Sequence, residues 1–174
     1  MKARSRARDP APEVELDELR AAVADGSVDT VLLAIADMEG RLQGKRLTAQ
    51  HFLGEILENG SEGCSYLLTV DPDMTTVGGY EMTSWDKGYG DFEMTPDLST
   101  LRPVPWHEAT VMVMADADWH GDDPVVASPR QILKRQLDRL EERGLIANAA
   151  TELEFIVFKD TYEDAWKKGF RGLE

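Results

Sequence analysis

The apolar positions of this chain change their period several times, and each change marks an element. Leu16, Leu19 and Val23 recur at helical spacing and Asp25-Gly26 closes them, which predicts a short amphipathic helix over 14–23. Residues 28–37 are rich in β-branched and aliphatic side chains, Glu39-Gly40 reads as a turn, and 41–48 returns as a second strand. That pair predicts a hairpin. In 51–57, Phe52, Leu53, Ile56 and Leu57 share a helical face that Asn59-Gly60 ends. Further strands are expected at 66–70 and 109–115, and the run Val111-Met112-Val113-Met114 is apolar enough to be covered on both faces. Hairpin, crossing helix and further strands together predict an α+β fold, a sheet with helices on one side.

No period survives between Asp71 and Asp97, where Pro72, Gly78-Gly79, Gly88 and Gly90 interrupt. Tyr80, Trp85, Tyr89 and Phe92 in that stretch are costly to leave in water, so the loop is expected to pack on something. Its interleaved Asp73, Asp86 and Asp91 suit a cationic or amine-bearing site; a loop folded back on its own domain is the alternative. Residues 119–127 are polar and turn-rich, and read as a linker. Ser128 as N-cap, Pro129 at the first helical position, Gln131 completing a capping box and Gly144 past the end predict a helix with Ile132, Leu133, Leu137 and Leu140 inside. A strand over 151–158 and a short helix capped by Asp160 and stopped by Gly169 follow.

Charge removes some classes of function. With 33 acidic against 19 basic side chains the formal net charge is -14, which opposes a nucleic-acid backbone and favours cations. The single cysteine, Cys64, allows no internal disulfide, and no apolar run is long enough to cross a bilayer. A cytoplasmic location is the expectation. Residues 1–10, with Lys2, Arg4, Arg6 and Arg8 on alternate positions, have nothing to bury and read as a disordered tail.

The clearest candidate chemistry is in Thr151-Glu152-Leu153-Glu154-Phe155, where strand alternation puts Glu152 and Glu154 on one face. Their Cα atoms would stand roughly 7 Å apart, close enough for two long carboxylates to converge on a cation. Oxygen-only ligands suit Mg2+ or Mn2+ over Zn2+. A strand end emerging into solvent explains the same pattern without a metal.

Several segments occur in an order and spacing that resemble glutamine synthetases: Asp37-Met38-Glu39-Gly40-Arg41-Leu42-Gln43-Gly44-Lys45-Arg46, Asp73-Met74-Thr75-Thr76-Val77-Gly78-Gly79-Tyr80, the Pro-Asp-Leu-Ser-Thr-Leu-Arg ending at Arg102, Ser128-Pro129-Arg130, and Glu152-Leu153-Glu154-Phe155. The resemblance covers about residues 28–174. It implies a β-grasp domain over 28–118 after a tail and short helix (1–27), a linker (119–127), and the incomplete beginning of a catalytic domain (128–174). It also implies an ATP-dependent ligase that phosphorylates the γ-carboxylate of glutamate and lets ammonia or an amine displace the phosphate, with active sites shared between subunits of a homo-oligomer. By the same resemblance Glu152 and Glu154 are metal ligands for Mg2+ or Mn2+, Asp73 and Asp91 are catalytic, and Asp73 with Thr76 binds the ammonium or amine.

The chain departs from the family where many members have Asp-Gly-Ser-Ser, for it has the bulkier Asp73-Met74-Thr75-Thr76. Together with Ser84-Trp85-Asp86-Lys87-Gly88-Tyr89-Gly90, this is closer to the γ-glutamylpolyamine and γ-glutamylamide branch. The expected activity is that of the longer ligase, of which this chain is an inactive piece. A non-catalytic β-grasp interaction or regulatory module is the other reading.

Overall fold

The computed structural model describes residues 16–86, 88–120 and 123–174. The basic tail lies outside the described residues. Helix α1 (Leu16–Asp25) leads into the hairpin β1 (Thr30–Ala36) and β2 (Leu42–Thr48), where Thr30 pairs with Thr48 and Ala36 with Leu42. The chain then crosses in a helical stretch made of α2 (Ala49–His51), a π-helical turn (Phe52–Ile56) and α3 (Leu57–Asn59). It returns as β3 (Ser61–Cys64), β4 (Asp91–Pro103), β5 (Thr110–Trp119) and the two-residue β6 (Asp123–Pro124). Helices α4 (Pro129–Glu141) and α5 (Tyr162–Lys167) complete the described elements.

The sheet runs β2-β1-β5-β4-β3, with β6 on β5 beyond that path. β1 and β5 are parallel, Thr30 against Thr110 and Ala34 against Met114, while the other pairs are antiparallel. A parallel neighbour needs a crossover, which the helical stretch after β2 and the long excursion through β3 and β4 provide.

Alternation decides which side chains form the core. Val31, Leu33 and Ile35 of β1 and Val111, Val113, Ala115 and Ala117 of β5 bury with Leu19 of α1 and with Phe52 and Ile56 of the π-helical turn. The opposite face buries a smaller cluster of Ala34, Val104 and Met112, packed by Leu32 and Met114. The run at 111–114 is thus covered on both faces, as its apolarity predicts.

Helices on one side is an expectation the structure corrects. α4 joins the second face: Arg130 Nε donates to Asp116 Oδ1 at 2.8 Å, Lys134 pairs with Asp116, Arg130 also pairs with Asp97, and Gln131 Nε2 donates to Asp118 Oδ1 at 3.0 Å. Asp116 and Asp118 alternate with buried Ala115 and Ala117, so they carry acid to the face where α4 lies.

Other boundaries differ for local reasons. The apolar run at 66–70 is not a strand but a 3-10 turn, Ser65–Leu68, and the strand falls on the polar Ser61–Cys64. β4 begins inside the stretch read as loop. The capping box does not form, since Ser128 makes no side-chain cap bond and Gln131 turns to Asp118. Thr161, not Asp160, caps α5, accepting from the Asp164 N–H at 3.2 Å.

Candidate functional site

The loop after the 3-10 turn is built from its own backbone. Asp71 Oδ1 accepts the N–H of Asp73 at 3.0 Å and of Thr75 at 2.8 Å, an Asx turn that its sequence favours. The Asp71 N–H donates to the Thr75 carbonyl at 2.9 Å, and Val70 bridges Thr76. Asp73 stands exposed at the tip of this turn, and Thr76 is half-buried at its base.

The aromatic part of the loop folds back on the chain. Tyr89 packs edge-to-face on Tyr66 at 6.4 Å and on Trp85 at 5.2 Å, and Thr69 Oγ1 meets Thr83 Oγ1 at 3.1 Å in the interior. Trp85 nevertheless keeps 81% of its surface exposed and Tyr80 42%. Self-packing therefore covers only part of the aromatic surface.

Asp91 opens β4 opposite Cys64, where the Ser65 N–H donates to the Gly90 carbonyl at 2.8 Å. It lines a cavity of about 310 Å³ with Lys45, Glu62, Cys64 and Tyr66. That cavity draws residues from β2 and β3, the two ends of the strand order, and from β4 between them. Gln43, beside Lys45 on β2, reaches the Asp73 loop, its Nε2 lying 3.3 Å from Met74 Sδ. Asp73 and Asp91 thus belong to features that border the same strand.

Glu152 and Glu154 are not brought to that place by any described contact. The segment 145–158 has no regular secondary structure and no strand pairing, and both glutamates are exposed, as are Leu153, Phe155, Ile156 and Val157. The strand predicted at 151–158 is therefore absent among the described residues, because an alternating pattern still needs a neighbouring ladder. Among the described residues no group of three or more His, Cys, Asp or Glu side chains is arranged to hold a metal ion. The donor chemistry at 152 and 154 suits a hard cation, but two carboxylates supply only part of the roughly six oxygens Mg2+ takes.

Behind the loop lies a clasp centred on Asp37. Asp37, buried at the end of β1, accepts from the N–H groups of Glu39 (3.0 Å) and Arg41 (2.8 Å), from Arg41 Nε (2.7 Å) and from Gln43 Nε2 (3.0 Å). Burial pushes its carboxyl up, but the bonds from Gln43, Arg41 and Glu39 outweigh that and hold it below the usual carboxylate value. An Asp followed by Gly40 and Arg41 across a tight turn was the available signal.

Residues 126–172 match the family model for the glutamine synthetase catalytic domain. The chain is 59% identical over 165 residues to gamma-glutamylethanolamide synthetase GlnA4 of Streptomyces coelicolor, covering 95% of this chain and 36% of that protein. It is 34% identical over 145 residues to glutamate--isopropylamine ligase of a Pseudomonas species, covering 81% of this chain and 32% of the other. The chain thus spans about a third of the length of these curated relatives. In fold it resembles an ADP complex of GmaS, with a TM-score of 0.56 at 21% identity over 72% of this chain and 26% of that one. On these grounds the chain belongs to the glutamine synthetase family.

Proposed function

We propose that this chain is the amine-side portion of an ATP-dependent ligase that joins the γ-carboxylate of glutamate to an amine. The observation that carries the reading is the 59% identity, over nearly the whole chain, to a protein named for making a γ-glutamylethanolamide. An alkylamine is favoured over ammonia, because both relatives above are named for amide products or amine substrates. The parallel β1–β5 pair with a helix crossing beside it supports a β-grasp organisation for 28–118. Residues 128–174 then begin the catalytic domain, and homo-oligomers share sites between subunits.

In this reading a γ-carboxylate oxygen of glutamate attacks the terminal phosphorus of ATP and ADP departs. The amine nitrogen then attacks the acyl carbon, phosphate leaves, and a proton must be taken from nitrogen. Asp73, exposed and anionic at the loop tip, attracts the alkylammonium form and accepts that proton at its carboxylate. Thr76 and Asp91 support the amine from the loop base and from the cavity beside β2. Glu152 and Glu154 would contribute oxygen ligands to Mg2+ or Mn2+, which when bound offsets phosphoryl charge.

The test uses a form that continues through a complete catalytic domain. Asp73→Asn should lower amine-dependent product formation by about a hundredfold, as loss of a general base does. Glutamate-dependent ADP formation should fall far less. An equal loss of both, or of neither, would remove Asp73 from the amine site.

A further inference from the structure

Arg41 takes no part in the chemistry proposed above, yet with Gln43 it joins the β1–β2 hairpin to the Asp73 loop, and it alone of the two bonds the loop's main chain in the described contacts. Its Nε donates to Asp37 Oδ2 at 2.7 Å and its Nη2 to Glu39 Oε2 at 3.0 Å, both on its own hairpin. The rest of the guanidinium crosses to the loop, Nη1 to the Pro72 carbonyl at 2.7 Å and Nη2 to the Asp71 carbonyl at 3.2 Å. Asp71 and Pro72 are the two residues immediately before Asp73. The internal bonds of the Asx turn fix the shape of the loop, whereas Arg41 ties that shape to the sheet. Met74 is held at φ 64, a conformation that a non-glycine residue keeps only where its surroundings impose it.

We infer that Arg41 is a positioning residue: seated on buried Asp37, it fixes the Asp71–Thr75 turn against the hairpin and so sets where the Asp73 carboxylate meets the amine. The inference rests on the reading of Asp73 as the amine-binding residue. The planar fork is suited to this, since donors at fixed angles reach a carboxylate and two carbonyls at once. A lysine at this position offers a single ammonium that cannot span them. Asp37 and Glu39 together offset the guanidinium charge, so the clasp does not repel a cationic amine approaching Asp73.

Two measurements separate this inference from the functional proposal on which it rests. On the chain itself, amide hydrogen exchange in Arg41→Lys and Arg41→Gln should show Met74, Thr75 and Val77 losing about tenfold in protection, with Val31, Leu33 and Val113 unchanged. Gln43→Leu, which removes the amide that meets Asp37 and Met74, is the milder variant and should move the same loop amides in the same direction. Unchanged loop amides in all of these variants would overturn the clasp. Loss spread evenly over loop and sheet would do the same, by making Arg41 a general stabiliser.

In the form carrying a complete catalytic domain, Arg41→Lys should lower kcat/KM for amine by about tenfold while the KM for glutamate stays close to the parent. If Asp73→Asn alters amine use and Arg41→Lys does not, the inference fails while the amine reading survives. If Asp73→Asn leaves amine use untouched, the amine reading fails and takes the functional half of this inference with it.

Discussion

Asp37 shows how much one buried carboxylate can carry. Each of its oxygens accepts two donors, so in Asp37→Asn the new amide would face a donor already in place, Arg41 Nε, Gln43 Nε2 or a backbone N–H. A loss of about 2–3 kcal/mol in unfolding free energy at neutral pH is expected, measured by denaturant titration. The pH dependence arises from its lowered pKa. Because the folded value lies below 3.8 and the unfolded value is about 3.9, Asp37 stabilises the fold above that unfolded value and ceases to do so as pH falls through the folded one. As pH falls below about 4 the parent should therefore lose stability more steeply than Asp37→Asn. Parallel slopes would deny Asp37 this role. The turn Asp37-Met38-Glu39-Gly40-Arg41 was legible in the sequence, but its far partners were not. Arg41 bonds main-chain carbonyls at Asp71 and Pro72, and a carbonyl has no residue signature to read.

Among the elements, those with a clean period were readable and those defined by pairing were not. The hairpin and the helix over Pro129–Glu141 come from alternation, turn residues and a proline at the helix start. β4 was hidden by Pro96 and Pro103 and by a register shift between Asp97 and Arg102, which breaks the alternation that would announce it. The segment at 151–158 failed the other way, with alternation but no partner strand. Glycines within the elements differ just as sharply in what they permit. A Cβ built on Gly44 of β2 would lie 1.9 Å from the Leu33 carbonyl oxygen and 2.9 Å from Ala34 Cα, both main-chain atoms that cannot step aside. At Gly54, in the π-helical turn, a Cβ meets nothing within 4 Å. Gly44→Ala should therefore lower the thermal midpoint, at a cost of roughly 1–3 kcal/mol, while Gly54→Ala should be neutral or gain about 0.5–1 kcal/mol. Equal behaviour of the two would mean that β2 does not approach β1 this closely.

Over the whole molecule, apolar surface is divided unevenly. The sheet and its first helices bury Phe52, Phe92, Leu33, Ile35 and Val113 almost completely. From α4 on the balance reverses: no α4 residue is buried, so the inner face expected of Ile132, Leu133, Leu137 and Leu140 is not formed, and past it Ile146 is 88% exposed, Leu153 87%, Tyr162 92% and Trp166 74%, with only Ala165 buried among the described residues there. Exposed apolar side chains in this number are open to contact with other apolar surface, and a net charge of -14 favours solubility without covering them. The N-terminal end of α4 is held by the ion pairs of Arg130 and Lys134 to Asp97 and Asp116, so it should open together with the sheet and separately from residues 145–174. Limited proteolysis should accordingly cut first within 145–160, leaving a protected core that still includes Arg130. The intact chain should bind an apolar fluorescent dye, and the trimmed core should bind much less of it. A first cut at 119–127, or 145–174 as resistant as β5, would show that α4 and the segment after it form a unit of their own, and the exposed apolar face would then need another explanation.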